Sequence, residues 1–186
     1  MGTGLWIFLA GVGLFVVVVI ILYNGLVSAR QLATNAWSQI DVQLRRRYDL
    51  IPNLVETVKG YMSHEKETLE NVIQARQMAM DAQGVRQQAS AENALTSALG
   101  GLFAVAEAYP DLKANQNMLS LQSELSGTEE RIALSREYYN DRVTTYNTKI
   151  ETFPSNMIAS TFSFRPKDLF EIESAEMREP VKVSFS

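Results

Sequence analysis

The chain has 186 residues, enough for one domain plus attachments, with 17 basic side chains against 21 acidic ones and a formal net charge of −4. That mild acidity argues against nucleic acid as a partner, which needs a concentrated basic face. The absence of cysteine excludes disulfides, thiolate nucleophiles and cysteine-ligated zinc or iron–sulfur centres.

No charged side chain precedes Arg30. Within this stretch Leu5–Tyr23 reads LWIFLAGVGLFVVVVIILY, and as a helix it spans roughly 28 Å, close to the ~30 Å hydrocarbon core of a bilayer. Leu5, Val17 and Ile20 are among its lipid-facing residues, and Trp6 and Tyr23 stand near its ends, where amphipathic rings favour the headgroup level. A cleaved signal peptide is the competing reading, since Val27-Ser28-Ala29 resembles a cleavage site. The missing basic n-region and the length of the apolar run favour an uncleaved anchor. A charge at Val17 should cost insertion and release the protein from membranes.

Beyond Tyr23 the apolar residues Ala33, Trp37, Ile40, Leu44, Tyr48 and Ile51 recur at helical spacing. Neither Gly nor Pro occurs from Arg30 to Ile51, so the anchor is expected to continue as a stalk and to break first at Pro52. Asp41, Arg45 and Asp49 lie one turn apart beside this apolar face, flanked by Trp37 and Tyr48. They form either a buried polar ladder that sets register or a solvated salt-bridge row. Arg45, Arg46 and Arg47 are consecutive, so a helix points them in three directions and they make no single basic patch.

A second helix is expected from Asn53 to about Asp81, loosened at Gly60, with a turn at Ala82-Gln83-Gly84. A third, roughly 87–109, is rich in small residues: Ser97 with Gly101, and Gly100 with Ala104 and Ala108, form pairs that let backbones approach closely. Close packing at Gly100 and Gly101 should offset their low helix propensity. The fourth, about 111–153, places Met118, Leu125, Ile132, Tyr139, Tyr146 and Phe153 every seven residues. This is the repeat of supercoiled helices, with Asn117 and Gln122 near the seam either as register-setters in the core or as boundary residues. Phe153-Pro154 closes the helices. In the remaining stretch Val181, Val183 and Phe185 alternate with polar residues as in a strand.

The fold class expected is all-α. An N-terminal transmembrane helix (1–29, span about 5–23) continues into a long antiparallel four-helix bundle (30–153), followed by a short extended or β C-terminal tail (154–186). Several stretches together resemble one family. They are Tyr23–Val27, Ala36–Leu44, Arg46–Val55, His64-Glu65-Lys66, Tyr109–Ala114 and Arg142–Asn147, in order along nearly the whole chain. The sequence is similar to the LemA family, small bacterial proteins with one N-terminal transmembrane helix and a helical-bundle body. The resemblance implies a membrane-anchored helical domain in the bacterial inner membrane and brings no catalytic residues with it. With no basic residue before the span and Arg30 after it, the N-terminus is expected outside and the body in the cytoplasm, with a periplasmic body as the alternative.

No chemistry is expected. His64 is the sole histidine and lacks the second histidine of a metalloprotease helix, and no phosphate loop, nucleophile elbow or calcium loop is present. No metal, cofactor, catalytic residue or small-molecule substrate is therefore expected. The reading is a membrane-anchored scaffold that self-associates through surfaces including Trp37, Asp41, Arg45, Asp49, Gly100, Gly101 and the tail residues Val181, Val183 and Phe185. The alternative is an adaptor that presents a membrane-protein partner, such as a protease.

Overall fold

The computed structural model describes residues 2–62 and 65–171, and among these it is helical without strands. The elements are α1 (Gly2–Lys59), α2 (Lys66–Asp81), α3 (Val85–Ala106), α4 (Pro110–Lys113), α5 (Gln116–Glu151) and α6 (Ser155–Thr161). His64 and the tail residues Val181, Val183 and Phe185 lie outside the described residues.

The first difference from the sequence reading is at Pro52. The helix does not break there; α1 runs through it to Lys59, and Gly60 and Tyr61 make the turn. A proline inside a helix removes one N–H and strands the carbonyl four residues earlier, which here is that of Tyr48. The Nε of Arg76, on α2, donates to this oxygen at 2.8 Å. A tertiary hydrogen bond thus replaces the missing helical one, and α1 continues.

Two compact units are built on this framework. One comprises Leu44–Glu130 together with Phe170 and Glu171. It contains the C-terminal part of α1, then α2, α3 and α4, and the start of α5. Its core is formed by Leu44, Ile51, Leu54 and Val58 of α1, Val72 of α2, Leu95 and Leu102 of α3, and Leu112, Met118 and Leu125 further on, all buried. The α2–α3 turn sits where the sequence places it, with Gly84 at φ +80°, ψ 166°, a conformation that a side chain would strain. Helix α3 ends three residues earlier than expected. The expected 111–153 helix is two helices. Asn115 interrupts it and caps α5, its Oδ1 accepting from the N–H groups of Asn117 (2.9 Å) and Met118 (3.2 Å).

The other unit comprises Met1–Gln43 and Arg131–Leu169. Here the first part of α1 and the last part of α5 run antiparallel. Leu26, Ala29, Ala33, Ala36 and Ile40 are buried on one side, and Ile132, Tyr139, Val143 and Tyr146 on the other. The seven-residue line on α5 is therefore core from Met118 to Tyr146, while Phe153, past the helix end, is 75% exposed. The tail is not extended from residue 154, because α6 intervenes. Ser163 (φ 56°) ends α6 in a left-handed turn in which the Phe164 N–H reaches the carbonyl of Ala159 (2.9 Å) and the Ser163 N–H that of Ser160 (3.3 Å). The chain then lies extended along α5. Tyr146 donates to the Arg165 carbonyl (2.8 Å) and Tyr139 to that of Asp168 (2.8 Å), while the Asn147 amide pairs with the backbone of Lys167 in both directions (2.9 and 3.0 Å). A strap held by side chains satisfies its backbone groups without a partner strand.

Residues 2–18 of α1 are exposed throughout, and α1 contains a window of mean hydropathy 3.1, none of it buried. It is long and apolar enough to cross a membrane.

Candidate functional site: a buried polar centre

One place inside Leu44–Glu130 is built from polar groups. Arg47 is 1% exposed, although it belongs to a run of three arginines. Its guanidinium donates to Glu92 Oε2 (2.9 Å) and Thr96 Oγ1 (2.8 Å) on α3, and pairs with Glu129 Oε1 (2.7 Å) on α5. The next residue, Tyr48, donates its hydroxyl to the other Glu92 oxygen. The amide nitrogen of Gln88, one turn before Glu92, lies within bonding distance of that same oxygen (2.9 Å), of the Tyr48 hydroxyl (2.8 Å) and of the Ala79 carbonyl (3.0 Å). Ala79 is in the last turn of α2, where carbonyls have no helical partner, so the cluster also caps α2. All four long helices meet here.

Helical phase explains why these side chains point inward. Ile40, Leu44, Arg47, Ile51, Leu54 and Val58 follow one another at intervals of four and three, as do Glu92, Leu95, Leu99, Leu102 and Ala106. Arg47 and Glu92 thus occupy core positions on facing helices with opposite charge. A buried ion of either sign alone would be costly; together, with hydroxyl and amide partners, they compensate each other. Glu129 keeps 40% of its side-chain surface exposed, so the second carboxylate is partly hydrated. Burial pushes the Tyr48 phenol well above its ordinary range, and the hydrogen bond and charge of Glu92 add to the effect. The hydroxyl is held as a neutral donor.

A phenol, a carboxylate and a guanidinium in contact are groups that could exchange protons, but here they bond one another inside packed helices, although the buried Nε of Arg47 has no hydrogen-bond partner among the described residues. The open groove of about 500 Å³ between α2 and α3 is lined by other residues, among them Gln74, Gln77, Met78, Asp81 and Gln87. Among the described residues no group of three or more ligating side chains is placed to hold a metal ion. The arrangement fixes helix register.

The sequence-derived interaction residues are dispersed. Trp37 packs edge-on against Tyr139 (5.4 Å between ring centres). Asp41 is half-buried, while Arg45 and Asp49 are exposed. The buried polar residue of this stretch is therefore Arg47, and the Asp41–Arg45–Asp49 row is no core ladder. Asn117 and Gln122 are exposed and set no register in the core. Gly100 and Gly101 are exposed, and a Cβ at either would meet nothing within 4 Å. Among the described residues no close packing offsets them. In the span, Leu5, Trp6, Val17 and Ile20 are exposed, at 60, 73, 51 and 52%. Tyr23 is half-buried and meets Phe162 (4.9 Å) and Phe164 (5.7 Å) edge-on.

A bare apolar helix running on into a helical body with a register-setting polar centre defines a class: membrane-associated helical-bundle proteins. The profile of the LemA family matches residues 36–185, and the chain belongs to that family. It is 28% identical over 173 residues to Protein LemA of Metamycoplasma hominis, covering 91% of this chain and 78% of that protein. It is also 24% identical over 187 residues to Magnetosome protein MamQ 2 of Paramagnetospirillum magneticum, covering 87% of this chain and 69% of that protein. Magnetosome protein MamQ of Magnetospirillum gryphiswaldense matches at the same identity and coverage. None of these relatives is named for a reaction.

Proposed function

We propose that this protein is a non-enzymatic scaffold, anchored by α1 in the bacterial inner membrane with its N-terminus outside, which self-associates through its helical body. The observation that carries the reading is the surface of the α2–α3 hairpin. On α3 the exposed residues from Gln87 to Ala104 are all uncharged, because the one acid in that stretch, Glu92, is turned into the core. On α2, Ile73, Met78 and Met80 are 50, 53 and 48% exposed. The α3 face, poor in charge from Gln87 to Ala104, is suited to contact with other protein, not to water alone. The relatives support the reading in that the names they carry are of a family and of a magnetosome, not of a catalytic activity.

The test is the mass of the full-length protein in mild detergent, by light scattering and electron-microscope imaging. A symmetric particle many times the 20.8 kDa chain is expected. Gly101→Leu should shrink it while leaving thermal melting intact, since Gly101 is exposed and a Cβ there meets nothing within 4 Å among the described residues. A monomeric wild type would refute self-association. It would favour the second reading, an adaptor for a membrane protein, for which the groove beside Met78 offers a seat.

A further inference from the structure

The geometry points to a second membrane contact: α6 and the residues around it form a foot that rests in the lipid interface beside the anchor. This rests on reading the start of α1 as a membrane span, and it adds a lipid-binding surface contributed by the opposite end of the sequence.

Three observations within Met1–Gln43 and Arg131–Leu169 converge. The first is level. Trp37 stands beside Tyr139, and counting equal numbers of residues along the two antiparallel helices puts the end of α5, at Glu151, within a turn of the height of Tyr23. On the return of the chain, Phe162 and Phe164 touch Tyr23 directly. Cover on α1 reaches further still: Val19 and Leu22, inside the expected span, are half-buried, whereas residues 2–18 are exposed. The second is surface. Phe153, Met157 and Phe162 are 75, 62 and 52% exposed. Single exposed apolar residues are ordinary; three large ones gathered beside a membrane span form a lipid-facing set.

The third observation is charge. Residues 152–164 carry no charged side chain, although charged residues are otherwise frequent along α5. On either side stand Lys149 with Glu151, and Arg165 with Lys167. Arg30, two turns above Tyr23 on α1, lies over the Phe164 ring at 5.1 Å. An uncharged aromatic segment with basic side chains just above it matches the order of a bilayer interface, acyl boundary first and phosphate next. The left-handed turn at Ser163 fixes the foot's return, so it is a held surface, continuous with the anchor.

The test uses the natural absence of cysteine. Single-cysteine variants Met157→Cys, Leu134→Cys and Ile20→Cys of the full-length protein are spin-labelled and placed in phosphatidylcholine–phosphatidylglycerol vesicles. Collision with oxygen, which concentrates in lipid, is compared with collision with a water-soluble nickel chelate. All three sites are exposed, so the labels leave the fold alone; Leu134, on α5 well above Tyr23, is 67% exposed. Expected is an oxygen-to-nickel ratio at Met157→Cys several-fold above that at Leu134→Cys and approaching that at Ile20→Cys. A watery Met157→Cys with a lipid-like Ile20→Cys overturns the foot and keeps the anchor. Met157→Cys shielded from both reagents means a protein partner covers it, which also overturns the foot. A watery Ile20→Cys removes the anchor, and the foot with it.

Discussion

Arg47→Met tests whether the polar centre holds the bundle together. The variant keeps roughly the length of the side chain and removes the charge, so Glu92, 3% exposed, loses the guanidinium it pairs with and retains Tyr48 and Gln88 as donors. Glu129, being 40% exposed, turns to water at little cost. Breaking a buried pair from one side costs about 3–5 kcal/mol. For a chain of this size that corresponds to a melting temperature lower by about 10 °C. The assay is thermal and guanidinium unfolding of the full-length protein in mild detergent, followed by the loss of helical circular dichroism. Arg47→Met/Glu92→Met should be less destabilised than Arg47→Met alone, because no unpaired charge then remains inside. A loss below about 1 kcal/mol, or costs that simply add across the double-mutant cycle, would refute the argument, since coupled residues do not add.

The remaining predictions concern single features. Arg76→Gln should cost about 1–2 kcal/mol by stranding the Tyr48 carbonyl; in a Pro52→Ala background, where the helical N–H is restored, the same change should cost less, measured by unfolding of both pairs. Gly100→Ala should stabilise the single chain by about 0.5–1 kcal/mol, since the position is helical and open, and a lower melting temperature in monomeric protein would contradict it. Burial, with the charge of Asp168 adding, pushes the Tyr139 phenol up to about 12. Its contribution to stability is complete below pH ~10 and is lost as pH rises from there towards the folded value, because the unfolded chain releases its proton first. Tyr139→Phe should therefore flatten the loss of stability between pH ~10 and 12 by up to about one proton's worth of slope, read from melting temperature against pH.

Much of the architecture was legible because helical periodicity is a local property. The apolar run of Leu5–Tyr23, the seven-residue line from Met118 to Tyr146 and the turn at Gly84 depend on residues near one another in sequence, and the structure has all three. The boundaries at Asn115 and Ser155 were missed for local reasons too: an asparagine that caps a helix and a proline that precedes one look the same in sequence as positions that merely tolerate them. Arg47 offered one available signal, a charge on the three-four line of apolar residues, matched by Glu92 on another helix, but with three consecutive arginines pointing in three directions the sequence alone does not single out the one that turns inward.

By itself the sequence determined an all-helical chain with a stretch fit to cross a bilayer, since hydrophobic burial and helix periodicity are set by the order of side chains along one element. Only tertiary structure decided the rest. Pro52 stays inside a helix because Arg76, far along the chain, supplies the missing donor. Arg47 is buried because Glu92, Thr96 and Glu129 arrive around it from two other helices. Gly100 and Gly101 face outward because α3 turns its leucines inward. Each outcome depends on partners distant in sequence, and a desolvated polar group is tolerated only where those partners are present.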